Sequence, residues 1–260
     1  MDGAAVERAA ATFAALLTQR CGDLVTGLHL VGSAADGDFR VGQSDLDFVA
    51  VLGRVPDASA LEALAMVHRS YAGDPTLPRL DGIWLTEDEL LMGPDAVPKG
   101  PTTAEGVLFD RALGNRNPVT WISLQGSIPV LGTLDRTALW DDRQRLRSWV
   151  RENAATYWRR WHAGAAGWGK SGLAMLGRSV PMWGVLGVAR QHYTVSTGQI
   201  TSKTAAGHWA LETLDTKYRR ILDEALAFRR GAPSPYGNPL HRRRQALAFV
   251  AMVLDEIEAA

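Results

Sequence analysis

The residues best suited to chemistry lie in one short stretch near the N-terminus. Gly32 and Ser33 open it, and a Ser-Asp-x-Asp motif formed by Ser44, Asp45 and Asp47 closes it, leading into an apolar run. Side chains alternate along a strand, so the two aspartates would lie on one face. Neighbouring carboxylates repel each other unless a divalent cation lies between them, and Mg²⁺ takes one or two carboxylates together with waters and substrate phosphates. The spacing predicts a magnesium site at Asp45 and Asp47.

Gly32 directly follows another apolar run. A glycine there permits a tight turn and close approach of the backbone to a ligand. Ser33 and the amides after it would begin a helix, and helix N-termini bind phosphate oxygens. A strand, a phosphate-binding turn, a helix and metal carboxylates, in this order, predict nucleotidyl transfer.

The elements that must position these residues follow from hydrophobic patterning. An amphipathic pattern before Gly22 predicts a first helix, and Ser59 with Glu62 is a candidate capping box for a second. Pro94, Pro98 and Pro101 predict a long loop over residues 93–106. Three short apolar runs predict strands, at residues 28–31, 46–52 and 80–85.

The second half of the chain has a different character. Residues 1–130 hold 17 Asp and Glu against 9 Lys and Arg, a net charge of −8, whereas residues 131–260 hold 11 against 19, a net charge of +8. Eight of the nine tryptophans follow residue 120, and helical periodicity dominates there. We therefore expect an α+β protein with a mixed-sheet domain at 1–130 and an all-α bundle at 131–260. Helices are predicted at residues 181–197, 203–214, 216–230 and 240–258.

Composition excludes several classes of protein. Hydrophobic residues make up 46% of the 260 residues and charged residues 22%, which excludes a disordered or fibrous chain. The single cysteine, Cys21, provides neither an internal disulfide nor a thiolate metal site. No apolar run approaches the ~20 residues of a membrane span, and the N-terminus lacks the basic start of a signal peptide. A cytoplasmic location is expected.

Two sets of residues resemble known families. The glycine–serine turn, Gly37 four residues after the serine, and the Ser-Asp-x-Asp motif resemble the signature of the nucleotidyltransferase fold shared with DNA polymerase β. The second half resembles the helical domain of streptomycin/spectinomycin-type aminoglycoside adenylyltransferases, which are antibiotic-resistance enzymes. That likeness is carried by residues 188–193, 197–200, 202–203 and 208–211. Together the two resemblances cover most of the chain.

The resemblance implies roles for individual residues. Ser33 and Ser44 would contact the phosphates of ATP, and Arg190 and Lys203 would reach the triphosphate from the helical domain. Asp81 takes the place of the glutamate that serves these enzymes as catalytic base, with a side chain one methylene shorter.

The positions that would bind the acceptor differ from those of the family. The acidic positions with which the family's helical domain holds a cationic drug fall near Leu176 and Val180, which are apolar here. The nucleotide-binding residues are therefore expected to be kept and the acceptor site altered.

The reaction implied is Mg²⁺-dependent transfer of AMP from ATP, bound between the two domains, to a hydroxyl of a small molecule. ATP and a small hydroxylated acceptor are the expected partners of a monomer, while nucleic acid and membranes are not expected. Two alternatives stay open. An RNA-directed nucleotidyltransferase would use the +8 half to follow phosphates, and a non-catalytic nucleotide-sensing or partner-binding module would use the same fold without turnover.

Overall fold

The computed structural model describes residues 3–260, which form two compact units, one that ends at Asp141 and one that runs from Asp142 to Ala260. The junction expected at residue 130 falls inside the first unit. Residues 128–131 form a strand of its sheet, and the side chains of Leu134 and Trp140 pack against its core. The charge step at residue 130 therefore precedes the structural boundary by 11 residues.

A six-stranded mixed sheet forms the centre of the first unit, in the order β5-β4-β3-β2-β1-β6. β2 and β3 run parallel, and every other neighbouring pair is antiparallel. The strands are β1 (Val25–Leu30), β2 (Leu46–Leu52), β3 (Leu80–Thr86), β4 (Gly100–Ala104), β5 (Val107–Ala112) and β6 (Ile128–Leu131). The α+β class expected from the sequence is confirmed.

Five helices accompany the sheet in the described part of this unit. They are α1 (Gly3–Cys21), α2 (Gly32–Ala35), α3 (Ala58–Ala72), α4 (Glu87–Met92) and α5 (Pro118–Leu124). α1 and α3 pack together over the sheet, where Phe13 meets Phe48 and Trp84 edge to face. The capping box expected at Ser59 is wrong: Asp57 is the N-cap of α3 and accepts from the backbone N–H of Ala60 at 2.8 Å. Asp57 directly precedes the helix, where a side-chain oxygen reaches the free N–H groups of the first turn, whereas Ser59 is already the second helical residue.

The loop expected over residues 93–106 is also wrong in part, because β4 lies within it. Pro101 has no N–H to give to a sheet, so its presence argued against a strand. The buried guanidinium of Arg116 compensates by donating to the carbonyl of Pro101 at 3.1 Å and to the carbonyl of Trp84 at 2.7 Å. A side chain 15 residues away in sequence therefore stabilises this strand.

The second unit is helical throughout its regular structure. Its helices are α6 (Arg143–Asn153), α7 (Arg159–Ala166), α8 (Lys170–Ala174), α9 (Ser179–Thr197), α10 (Lys203–Thr213), α11 (Arg219–Arg229) and α12 (Pro239–Ala259). A π-helical turn, Ala154–Trp158, joins α6 to α7. α9 packs against α6, α10, α11 and α12 and is therefore the central helix. None of the helices within residues 3–260 is long and apolar enough to cross a membrane.

Candidate active site

Two of the predicted site residues meet where β2 and β3 begin. These strands are parallel, and Asp47 on β2 is the register partner of Asp81 on β3. Hydrogen-bonded strands lie about 4.8 Å apart. Both side chains are partly buried. The parallel pairing therefore brings a predicted metal ligand and the predicted base to one edge of the sheet.

Gly32 lies against the carboxylate of Asp47. Its φ of +59° is in the left-handed region, and a Cβ at this position would collide with Oδ2 of Asp47 and lie 3.0 Å from its Cγ. The neighbouring N–H of Val31 donates to the carbonyl of Asp47 at 3.0 Å. Only glycine satisfies both the backbone and the space here. The turn that begins α2, with Ser33 as its second residue, is thus fixed beside the first carboxylate.

Ser44 and Asp45 close the segment that leads into β2. The hydroxyl oxygen of Ser44 accepts from the N–H of Arg40 at 3.1 Å, which leaves its own O–H able to donate. Asp45 accepts from Nε of Arg79 at 3.2 Å. The sequence did not single out Arg79, which lies only two residues before Asp81.

Asp81 has an environment unlike that of a surface carboxylate. Burial and the nearby charge of Asp45 raise its pKa from 3.8 to about 6. Hydrogen bonds from the backbone N–H of Glu105 and from Nδ2 of Asn115, the latter at 2.7 Å, oppose this rise. A pKa near the working pH is what a general base requires. Asn115 also fixes the side chain in place.

Sequence reasoning missed Glu105 and Asn115 as well as Arg79. Glu105 (φ +49°) and Gly106 (φ +82°) form the two-residue turn between β4 and β5. Positive φ at both central positions is the type I′ geometry of tight hairpins. The side chain of Glu105 pairs with Arg79 at 3.4 Å. A Glu-Gly pair between two short strands is the available signal, but the prolines of residues 93–106 predict a loop where β4 lies.

The residues present fit a magnesium ion. No group of three or more His, Cys, Asp or Glu side chains is arranged to hold a metal within the described part of the chain. Mg²⁺ does not need such a cage, because one or two carboxylates suffice when waters and substrate phosphates complete its shell. Asp45 and Asp47 supply that donor set.

The remaining predicted residues lie in the second unit. Arg190 is on α9 and Lys203 is the first residue of α10, where Ser202 caps the helix by accepting from the N–H of Ala205 at 3.1 Å. α9 and α10 pack against each other. Both cations are partly buried.

The two apolar positions near which the resemblance places acidic residues flank an arginine. Leu176 and Val180 are both partly buried, and Arg178 lies between them. The guanidinium of Arg178 donates to the fully buried carboxylate of Glu224 at 2.9 Å and to the carbonyl of Ala232 at 3.0 Å. A fixed arginine thus lies where the resemblance led us to look for acids.

Comparisons with known proteins support the expected family. Residues 148–256 match the family model of the aminoglycoside adenylyltransferase C-terminal domain. The whole fold is similar to the crystal structure of spectinomycin adenyltransferase AAD(9) from Enterococcus faecialis with ATP and spectinomycin, with a TM-score of 0.74 and 15% sequence identity over 97% of this chain and 99% of that one. No curated protein sequence matches the chain. The predicted resemblance is confirmed, and the structural similarity shows the fold.

Proposed function

We propose that this aminoglycoside adenylyltransferase-like protein transfers AMP from ATP to a hydroxyl group of a small molecule, in a reaction that requires Mg²⁺. The observation that carries the proposal is the register pairing of Asp47 with Asp81 beside the Gly32 turn. That arrangement offers a metal carboxylate, a base and backbone amides at one place. Similarity to a protein whose crystal structure contains ATP supports ATP as the donor.

Asp45 and Asp47 would hold the metal ion, which when bound neutralises charge on the phosphates. Arg79 holds Asp45 from one side, and Gly32 leaves room for the carboxylate of Asp47 on the other. Ser33 and Ser44 are proposed to donate their hydroxyls to phosphate oxygens. Arg190 and Lys203 are proposed to contact the triphosphate, where cations stabilise the charge of the leaving group.

Asp81 is proposed as the general base. It takes the proton of the acceptor hydroxyl as the oxygen attacks the α-phosphorus of ATP. A new P–O bond forms to the acceptor, and the bond to the β-phosphate oxygen breaks to release pyrophosphate. Asn115 keeps the receiving oxygens of Asp81 in place through its 2.7 Å hydrogen bond.

The acceptor is proposed to be neutral, anionic or weakly basic. A polycationic sugar loses hydration when it binds and needs carboxylates to offset that cost. Leu176 and Val180 offer none, Arg178 lies between them, and residues 131–260 carry a net charge of +8. Streptomycin is therefore expected to be a poor acceptor.

An acceptor panel tests the proposed function. The protein is incubated with ATP, Mg²⁺ and a set of hydroxylated small molecules that includes streptomycin, spectinomycin and neutral or acidic sugars. Pyrophosphate release and product mass are read together. The proposal expects an adenylylated product with at least one weakly charged acceptor, and it fails if no acceptor across the panel gains AMP. Efficient modification of streptomycin would refute the acceptor assignment alone.

A further inference from the structure

A groove in the second unit has the character of a binding site for an anion. We call it the arginine groove. It has a volume of about 420 Å³ and is lined by Arg143, Arg147, Ser148 and Arg151 of α6 together with residues 197–199 at the end of α9. Arg190 and Lys203, assigned above to the triphosphate, do not line it. None of the described residues that line it is acidic.

The three arginines form one row. Their spacing of four residues places them on the same face of α6 at intervals of about 6 Å along the axis. Arg143 is also the first residue of the helix. Cations are unfavourable in a first helical turn because the helix dipole is positive there. Arg143 therefore adds positive charge at the positive end of the helix, and the row continues along the helix to Arg151 in its last turn.

Two of these arginines are not neutralised by the protein. Arg147 and Arg151 make no ion pair with a carboxylate among residues 3–260, and Nε of Arg147 is buried without a hydrogen-bond partner there. Other arginines of this unit do find carboxylates. Arg145 pairs with Glu152, Arg159 with Asp255 and Glu258, and Arg178 with Glu224. On the same helix, Arg145 is paired with a carboxylate while Arg147 and Arg151 are not, so the groove carries positive charge that the described part of the protein does not offset.

We propose that the arginine groove binds an oligophosphate anion through residues other than those assigned to the catalytic reaction. A guanidinium offers paired N–H donors that match two phosphoryl oxygens. Successive arginines about 6 Å apart suit linked phosphoryl groups better than a single phosphate ion. The side-chain amide of Gln199, whose oxygen accepts from Arg143 at 3.2 Å, adds an N–H donor along the same wall.

Inorganic tripolyphosphate is the probe. Isothermal titration of the full chain without Mg²⁺ is carried out on the native protein, on the double variant Arg147→Gln/Arg151→Gln and on Arg151→Gln. The single variant is included in case loss of the Arg147 side chain, whose Nε is buried, disturbs the local packing. Arg145→Gln is the matched control, because it removes an arginine from the same helix outside the groove. Lys203→Ala separates this site from the proposed ATP site, and circular dichroism checks each fold.

The proposal expects tripolyphosphate binding at the arginine groove in the native protein, and the same binding in Arg145→Gln and Lys203→Ala. The affinity should fall about tenfold or more for each groove arginine removed, since charge-assisted hydrogen bonds are lost. Unchanged affinity in the folded groove variants, or loss in Lys203→Ala alone, would overturn it. A single-stranded RNA of about ten nucleotides that binds through the same arginines at least tenfold more tightly would also overturn it, because it would show a surface for an extended nucleic-acid backbone.

Discussion

At the scale of single residues, Asp81 carries the proton transfer in the proposed reaction. Asp81→Asn keeps the shape of the side chain and an oxygen that accepts the hydrogen bond from Asn115, but the amide cannot take a proton. We expect AMP transfer to fall by about 10²-fold or more while ATP affinity stays within about twofold, because general-base catalysis contributes at about that level. Steady-state kinetics and calorimetry measure the two effects.

Glu87→Gln is the control for Asp81→Asn. Glu87 begins α4, where Thr86 and Glu89 form a capping box, so it has a structural setting of its own. The glutamine variant should keep full activity. An inactive Glu87→Gln beside an active Asp81→Asn would move the base to α4.

Gly32 is expected to be required for activity beyond its effect on stability. Gly32→Ala forces an alanine into φ +59° and pushes its Cβ against the carboxylate of Asp47. The left-handed backbone alone costs roughly 1–2 kcal/mol. Displacement of Asp47 should reduce transfer by about 10²-fold, the usual effect of misplacing a reacting group by an ångström.

Gly22→Ala isolates the backbone effect of that substitution. Gly22 has a similar φ of +54° and no atom within 4 Å of a built Cβ. Thermal unfolding should show destabilisation in both variants, at least as large in Gly32→Ala because of the added clash with Asp47, and only Gly32→Ala should lose activity. Equal activity in the two variants would show that Gly32 is not required for activity.

At the scale of elements, the sequence predicted the helices and strands that are determined by local hydrophobic patterns. The apolar run at residues 46–52 predicted β2 with its observed bounds, and the four later predicted helices agree with α9 to α12 within a few residues. β4 was missed because its stability depends on the distant Arg116. Arg79 and Asn115 were missed for a related reason: each acts on a carboxylate 34 residues away in sequence, and no local pattern encodes such a contact.

Packing of α3 on the sheet predicts a pH dependence of stability. His68 is buried beside Phe13 and Trp84 and contacts the hydroxyl of Thr103 at 3.2 Å. Burial lowers its pKa from 6.5 to about 4. Between these values the unfolded chain binds the proton and the folded one does not, so stability falls as the pH falls. The loss attributable to His68 should reach about 3 kcal/mol near pH 4.

Urea unfolding between pH 7 and pH 4 measures this dependence. His68→Gln should show a flatter decline over the window, whatever its absolute stability. His208→Gln changes an exposed histidine of α10 and should leave the decline as it is in the native protein. A native-like slope in His68→Gln would contradict the assignment.

At the scale of the whole molecule, the proposed nucleotide contacts come from both units. A triphosphate carries about four negative charges, more than the metal at two aspartates offsets, so cationic help is needed. Arg190→Ala and Lys203→Ala should each weaken ATP·Mg²⁺ binding about tenfold or more. Arg160→Ala, an exposed arginine of α7, should leave binding unchanged.

The same contacts predict an order of binding. Nucleotide bound by residues of both units would complete the acceptor site, so the acceptor should bind weakly to the nucleotide-free protein and more tightly once ATP·Mg²⁺ is present. Calorimetric titration of the acceptor under both conditions, with Asp81→Asn to prevent turnover, measures this. Equal acceptor affinity in the two titrations would refute ordered binding.

The most direct test of nucleotidyl transfer follows the two ends of ATP at once. The native protein and Asp47→Asn are incubated with Mg²⁺, an acceptor from the panel and ATP labelled on the α-phosphate or on the γ-phosphate. With the native protein the α-label should appear on the acceptor and the γ-label in pyrophosphate, in equal amounts. Asp47→Asn, though folded, should produce neither. A γ-label on the acceptor, or undiminished α-transfer by Asp47→Asn, would contradict the account.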